Sequence, residues 1–253
     1  LSERPQVPRL EALTLPDVRT ALVWRFSSER QTLSSASIGG GLSPARWLVN
    51  AQVDLHFART DLAQIGTEIA GSLGLRGPGQ VLLTAATVDA NSSSETSLLR
   101  VDATVGISLP TWAATNGRGE TDIPGFRSES NAQSGDHGGA VESAPPRPGT
   151  INIVVQLAAR PEVPAAVNLV MTVTEAKTQA LLDAGVPGTG TASDAVAVIW
   201  PFAEEPSHVF GGPRSQVGQD AANCTYDAIS SSLANMTWLA DARAGVQAAL
   251  GRR

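Results

Sequence analysis

Residues Ala166–Pro201 constrain the fold more than any other stretch of the chain. An apolar run, Val167–Thr172, reads as a buried strand and leads into a helical pattern beginning near Thr174. Gly185 stands where that helix should end, because glycine takes the left-handed C′ conformation at little cost. A polar loop, Gly188–Asp194, follows, and a second buried-type run, Ala195–Trp200, stops at Pro201. Small hydroxyls, one Glu, one Lys and one Asp are thus enclosed between apolar segments, a pattern suited to holding side chains for chemistry.

The remaining elements are read from the periodicity of their apolar residues. Ala21–Phe26 and Thr32–Ser37 read as two strands joined by a turn at Glu29-Arg30. Gly39-Gly40-Gly41 marks tight turning or a close approach to a ligand, since each glycine is costly to order. Arg46–Val53, Val81–Val88, Leu98–Ser108 and Thr150–Leu157 read as strands. Asp61–Leu73 is the clearest helix, with Leu62, Ile65, Ile69 and Leu73 on one stripe and Gly74 as its stop. Ser215–Leu233 is the last helix, burying Val217, Ala221, Cys224, Ala228 and Ser232, and Arg243–Leu250 adds a further turn. Residues 1–16 read as a surface arm. Residues 116–149 break every periodic template and read as a long flexible loop. No internal repeat and no domain boundary is legible, so 1–253 is expected to form a single domain. Strands outnumber helices and do not alternate with them. The expected class is therefore α+β, a largely antiparallel mixed sheet with about three main helices, for which an αββα layering is one arrangement.

Composition removes several classes of function. With a net charge of −6 over 253 residues and no run of Lys or Arg, neither nucleic acid nor an anionic membrane is an expected partner. Cys224 is the only cysteine, which excludes an intrachain disulfide and fits a cytoplasmic setting. It reads as a small core residue rather than a nucleophile. No apolar span reaches the ~20 residues of a membrane helix. Asn91, Asn223 and Asn235 head glycosylation-type triplets that read as chance matches. His56, His137 and His208 are far apart, and no metal site is expected. Gly188-Thr189-Gly190-Thr191 lacks the lysine and following helix of a phosphate loop.

Candidate site residues come from the same stretch and from polar positions inside apolar strands. Thr172 and Glu175 fit a helix-capping box, which is the structural reading of Glu175. On one helix Glu175 and Lys177 point to different sides, so they converge only if Glu175 precedes the helix. Asp194 reads as a turn residue closing its loop or as a group that orients a hydroxyl or water. Asn50 and Asn152 need partners if buried, whether loop backbone or a ligand.

From Leu33 to Ile229 the chain resembles the adenosylcobinamide amidohydrolases of corrinoid salvage. The resemblance is carried in order by several stretches. They are Ser34-Ser35 with Gly39-Gly40-Gly41, Asn50 with Val53, Leu83–Ala86, Thr104–Ile107, Pro148–Ile153, Thr172–Leu181, Gly190–Val196, Gly211-Gly212-Pro213 and Val217-Gly218. TEAKTQAL and GTASDAV are its most specific blocks. One departure follows Gly106, where Leu109-Pro110-Thr111-Trp112 stands near the place of the family's Asn-Ala; two alignments stay open, one without that pair and one in which Ser130-Asn131-Ala132 with Gly135-Asp136 is its displaced equivalent. The resemblance implies hydrolysis of the aminopropanol amide of adenosylcobinamide, giving adenosylcobyric acid and 1-aminopropan-2-ol. The corrinoid is then substrate, and no cofactor or metal is expected. Self-association remains compatible with the sequence.

On this reading Glu175 is a general base acting on water. Lys177 and the backbone amides of Gly188–Thr191 polarise the carbonyl, and Asp194 positions groups. Gly40, Gly41, Asn50, Asn152, Thr178, Thr189, Gly190, Thr191 and Ser193 contact substrate. A covalent variant uses Thr150 after self-cleavage behind Gly149. The alternatives are a non-catalytic corrinoid-binding protein, or an amidase for another large natural product such as a siderophore.

Overall fold

The computed structural model describes residues 5–54, 57–107, 109–114, 149–203 and 205–236. The expected loop 116–149, except Gly149, and the turn at Arg243–Leu250 lie outside the described residues, as do His56, His137 and Ser130–Ala132.

Among the described residues eight strands form one mixed sheet. They are β1 (Arg9–Ala12), β2 (Val18–Ser34), β3 (Gly41–Val53), β4 (Gly79–Thr84), β5 (Ser92–Glu95), β6 (Leu99–Gly106), β7 (Thr150–Leu157) and β8 (Ala195–Pro201). The helices are α1 (Leu62–Ser72), α2 (Val163–Asp183) and α3 (Gln216–Ala234). Strand order is β4-β3-β2-β8-β7-β6-β5, with β1 on β2. Only β3–β4 and β7–β8 are parallel, and a helix crosses over between each pair. The α+β class with a mostly antiparallel sheet is therefore what the chain adopts. The connectivity also repeats: an antiparallel hairpin followed by a parallel crossover occurs in β2–β3–α1–β4 and again in β6–β7–α2–β8.

The sheet folds so that its two halves face each other. β3 and β7 stand three places apart in the strand order, roughly 14 Å in a flat sheet. Yet Asn152 Nδ2 donates to Asn50 Oδ1 at 2.8 Å. Trp24 on β2 likewise donates from Nε1 to Asp102 on β6 at 3.4 Å. Between the halves lie Leu22, Trp24, Leu48, Leu82, Val154, Ala197 and Ile199. Alternate residues of the same strands face outward, where Ile65 and Ile69 of α1 cover one half. Leu169, Val173, Ala221 and Ile229 of α2 and α3 cover the other. The layering is αββα. Cys224 is a buried member of the α2–α3 core, and burial pushes its thiol above the ordinary range.

Three readings are corrected. Val167–Thr172 is not a strand: it lies inside α2, which starts at Val163 with a proline in its first turn. The exposed side chains of those first turns, Val163, Val167 and Met171, are apolar, which erased the contrast that marks a surface helix. Glu29-Arg30 is no turn, because β2 runs through it with a register shift between Arg25 and Arg30. The strand starting near Val81 stops at Thr84, and Val88 belongs to a short 3-10 turn. Gly185 does end α2: its φ is +78°, and Val186 N–H returns to Leu181 O at 2.9 Å.

Candidate functional site

The second crossover brings Lys177 and Asp194 together. Lys177 lies on the buried face of α2, six residues before the helix ends at Asp183, and is only 7% exposed. Asp194 immediately precedes β8. Lys177 Nζ donates to Asp194 Oδ2 at 2.5 Å. The same oxygen accepts Thr191 N–H at 3.1 Å. Oδ1 accepts the Thr191 hydroxyl at 2.5 Å and Ile151 N–H at 2.9 Å. With four donors on its two oxygens, this carboxylate is a positioning group, spent on fixing Lys177, the loop and the head of β7. Lys177 is the complementary case: an ammonium has three donors, and among the described residues only the bond to Asp194 is made. The pair also explains one glycine. A Cβ on Gly190 would lie 2.3 Å from Asp194 Oδ2 and 2.6 Å from Lys177 Nζ.

Thr150 and Ser193 complete the cluster. Thr150 heads β7, is 3% exposed, and its Oγ1 lies 2.9 Å from Ser193 Oγ. Ser193 is exposed, so this end of the sheet opens to solvent. The cluster therefore combines a buried cation with unspent donors, a saturated carboxylate and two touching hydroxyls.

The other expected site residues fall in three places. Glu175 is exposed and inside α2, two positions from Lys177 and about 200° around the helix. It neither caps the helix nor shares the cluster, so its assignment as base is withdrawn. Thr178 and Thr189 tie the loop down. Thr178 Oγ1 donates to Thr189 O at 3.1 Å, and Thr189 Oγ1 accepts Ala113 N–H at 3.0 Å. Of the expected row of amide donors, those of Gly188, Thr189 and Thr191 are already bonded to Val186 O, Thr111 O and Asp194, so these three are corrected to structural use. Gly40 lies in the β2–β3 turn and Gly41 opens β3 directly after it. Gly40 packs on Ala36 O, and Gly41 has a φ of +86°. Their role is the turn.

Asn50 and Asn152 lie between the sheet halves. Asn50 Nδ2 donates to Thr104 Oγ1 at 3.0 Å, and Asn152 Nδ2 also reaches Leu83 O at 3.2 Å. Asn152 Oδ1, buried, has no partner among the described residues. What the sequence reading of contacts missed is Thr104, an inward residue of β6. Its signal was a hydroxyl at an alternate position in an apolar strand.

The model of one protein family, adenosylcobinamide amidohydrolase, matches residues 7–241. The chain belongs to that family. No curated protein matches it. As an adenosylcobinamide amidohydrolase family member, it carries its Lys177–Asp194 pair in the two blocks most specific to the resemblance. Among the described residues no helix is long and apolar enough to cross a membrane.

Proposed function

We propose that the protein hydrolyses the amide joining the aminopropanol arm to a propionate of the corrin ring in adenosylcobinamide. The products are adenosylcobyric acid and 1-aminopropan-2-ol. The observation that carries this reading is Lys177, a buried ammonium with donors unspent among the described residues, in a chain whose family match spans nearly its whole length.

An unactivated amide resists attack because the carbonyl oxygen must take up negative charge. A preorganised donor in a low-dielectric site lowers that barrier, by about 3–4 kcal/mol for a single good donor. Lys177 supplies that charge. Asp194 keeps its position without acting as base, because both carboxylate oxygens are occupied. Gly190 leaves the space in which the pair forms. The Thr150–Ser193 hydroxyls adjoin the pair through Ile151 and Asp194.

The test is incubation of purified protein with adenosylcobinamide, read by mass spectrometry for free 1-aminopropan-2-ol and the carboxylic acid. Stoichiometric release with turnover supports the reading. Saturable corrinoid binding without release overturns it in favour of a binding protein, and release only from a siderophore amide moves the substrate class.

A further inference from the structure

Three consecutive residues at the head of β7 are held by the cluster around Lys177. Gly149 O accepts a hydrogen bond from Ser193 Oγ at 3.4 Å. Thr150 Oγ1 is 2.9 Å from the same Ser193 Oγ. Ile151 N–H is fixed on Asp194. A hydroxyl has one proton. If Ser193 gives its proton to Gly149 O, the Thr150 hydroxyl must donate to Ser193. One serine then links the hydroxyl of residue 150 to the carbonyl of the peptide bond that precedes it. Gly149 is pinned as well: a Cβ there would lie 2.5 Å from Gly106 O, 3.1 Å from Ile107 Cα and 3.1 Å from Thr191 Cγ2. A strand-end tie requires neither a held carbonyl nor a residue without a side chain before the threonine.

We infer that the Gly149–Thr150 peptide bond is a self-cleavage site, and that cleavage frees Thr150 as an N-terminal nucleophile. In the first step Thr150 Oγ1 attacks the Gly149 carbonyl carbon. Its proton passes through Ser193 to the departing Thr150 nitrogen, the C–N bond breaks and an ester forms with no atom lost. Water then hydrolyses the ester, restoring the Thr150 hydroxyl and leaving Gly149 as a carboxylate. The new α-amine adjoins its own hydroxyl, where it serves as the base that Asp194 and Glu175 do not provide. In the amide reaction the amine takes the Oγ1 proton as the oxygen attacks and returns it to the leaving aminopropanol nitrogen. A second water hydrolyses the acyl ester. Lys177 faces the charge that develops on the carbonyl oxygen. The second half rests on the amidohydrolase reading; the cleavage does not.

The experiment is intact-mass measurement and N-terminal sequencing of the purified full chain, with amide hydrolysis assayed on the same sample. The expected result is two fragments whose masses sum to the chain plus one water, the second beginning Thr-Ile-Asn-Ile-Val. Thr150→Ala should remain one chain and lose activity, and Thr150→Ser should still cut. Ser193→Ala should slow cutting by about a hundredfold or more, as loss of a donor on a reacting carbonyl does. Circular dichroism checks that each variant folds. An active preparation left uncut at this bond overturns the inference and leaves the amidohydrolase reading standing. Equal cutting of Thr150→Ala assigns the cut to a host protease and also overturns it. A chain that cuts itself but releases no amino alcohol keeps the inference and removes the amide reading.

Discussion

Lys177 and Asp194 are seventeen positions apart, one on the inward face of a helix and the other on the loop before the next strand, and their side chains meet at 2.5 Å. Both are largely withdrawn from water, with side-chain exposures of 8% and 14%. Removing two charges from water is costly, and their mutual attraction offsets this only with good geometry and further hydrogen bonds. Asp194 has those bonds, while among the described residues Lys177 uses one of its three donors. The imbalance places the unfilled demand on the cation, where a carbonyl oxygen carrying developing charge would meet it.

Lys177→Met should therefore abolish amide hydrolysis and also destabilise the fold by about 3–5 kcal/mol, the range for stranding one partner of a buried pair. The double variant Lys177→Met/Asp194→Asn removes both charges. It should regain part of the lost stability in denaturant unfolding while remaining inactive. Stability and activity recovering together would mean the pair matters only for folding.

Gly190→Ala tests the same pair by volume rather than charge. Gly190 has no positive φ, so the backbone accepts alanine, but the added methyl must displace Asp194 or Lys177. Overpacking of this kind costs about 1–3 kcal/mol. The expected variant folds with a lower melting temperature and loses most of its amide hydrolysis. Retention of full rate would show that the separation of Lys177 and Asp194 is unimportant to the reaction.

Much of this was legible where local chemistry governs. Strand β7 was read with the bounds it has, because Thr150–Leu157 is β-branched and buried on both faces. The end of α2 was fixed by Gly185. Its start was not, because tertiary context leaves Val163, Val167 and Met171 on the outside. That error made Thr172 and Glu175 look like a cap, when they lie well inside a 21-residue helix. The repeated hairpin-and-crossover connectivity was hidden because its two copies differ in strand length, 17, 13 and 6 residues against 8, 8 and 7. Asn50 and Asn152 were recognisable as polar residues in apolar strands. Their mutual bond depends on the folding of the sheet, which no local pattern encodes.

Glu175 supplies a control. It is exposed and makes no contribution to the Lys177–Asp194 geometry. A surface substitution away from a site moves free energies by about 0.5 kcal/mol or less, roughly a twofold effect. Glu175→Gln should keep kcat/KM and the melting temperature within that margin. A loss of kcat by about a hundredfold, the scale of general-base removal, would return the base to Glu175.

His208 should give the fold a pH dependence separable from that of its carboxylates. Its backbone carbonyl accepts Glu162 N–H at the start of α2, and its ring is partly withdrawn from water. Burial pushes the imidazole below its ordinary value of 6.5. Below that value the unfolded chain binds a proton that the folded chain resists, so stability rises with pH across this window. The contribution is whole above about pH 7 and falls as pH drops through 6.5 toward the lowered folded value, then levels off. Asp61 and Glu68 act further down: hydrogen bonds from Arg59 hold both carboxyls below their ordinary 3.8 and 4.5, so what they add is lost only as pH falls below those values. Thermal unfolding of His208→Gln between about pH 2 and 7.5 should therefore be flatter than wild type above about pH 4.5, with the acid limb below it unchanged. An unaltered slope in the variant would assign the neutral-pH dependence to another group.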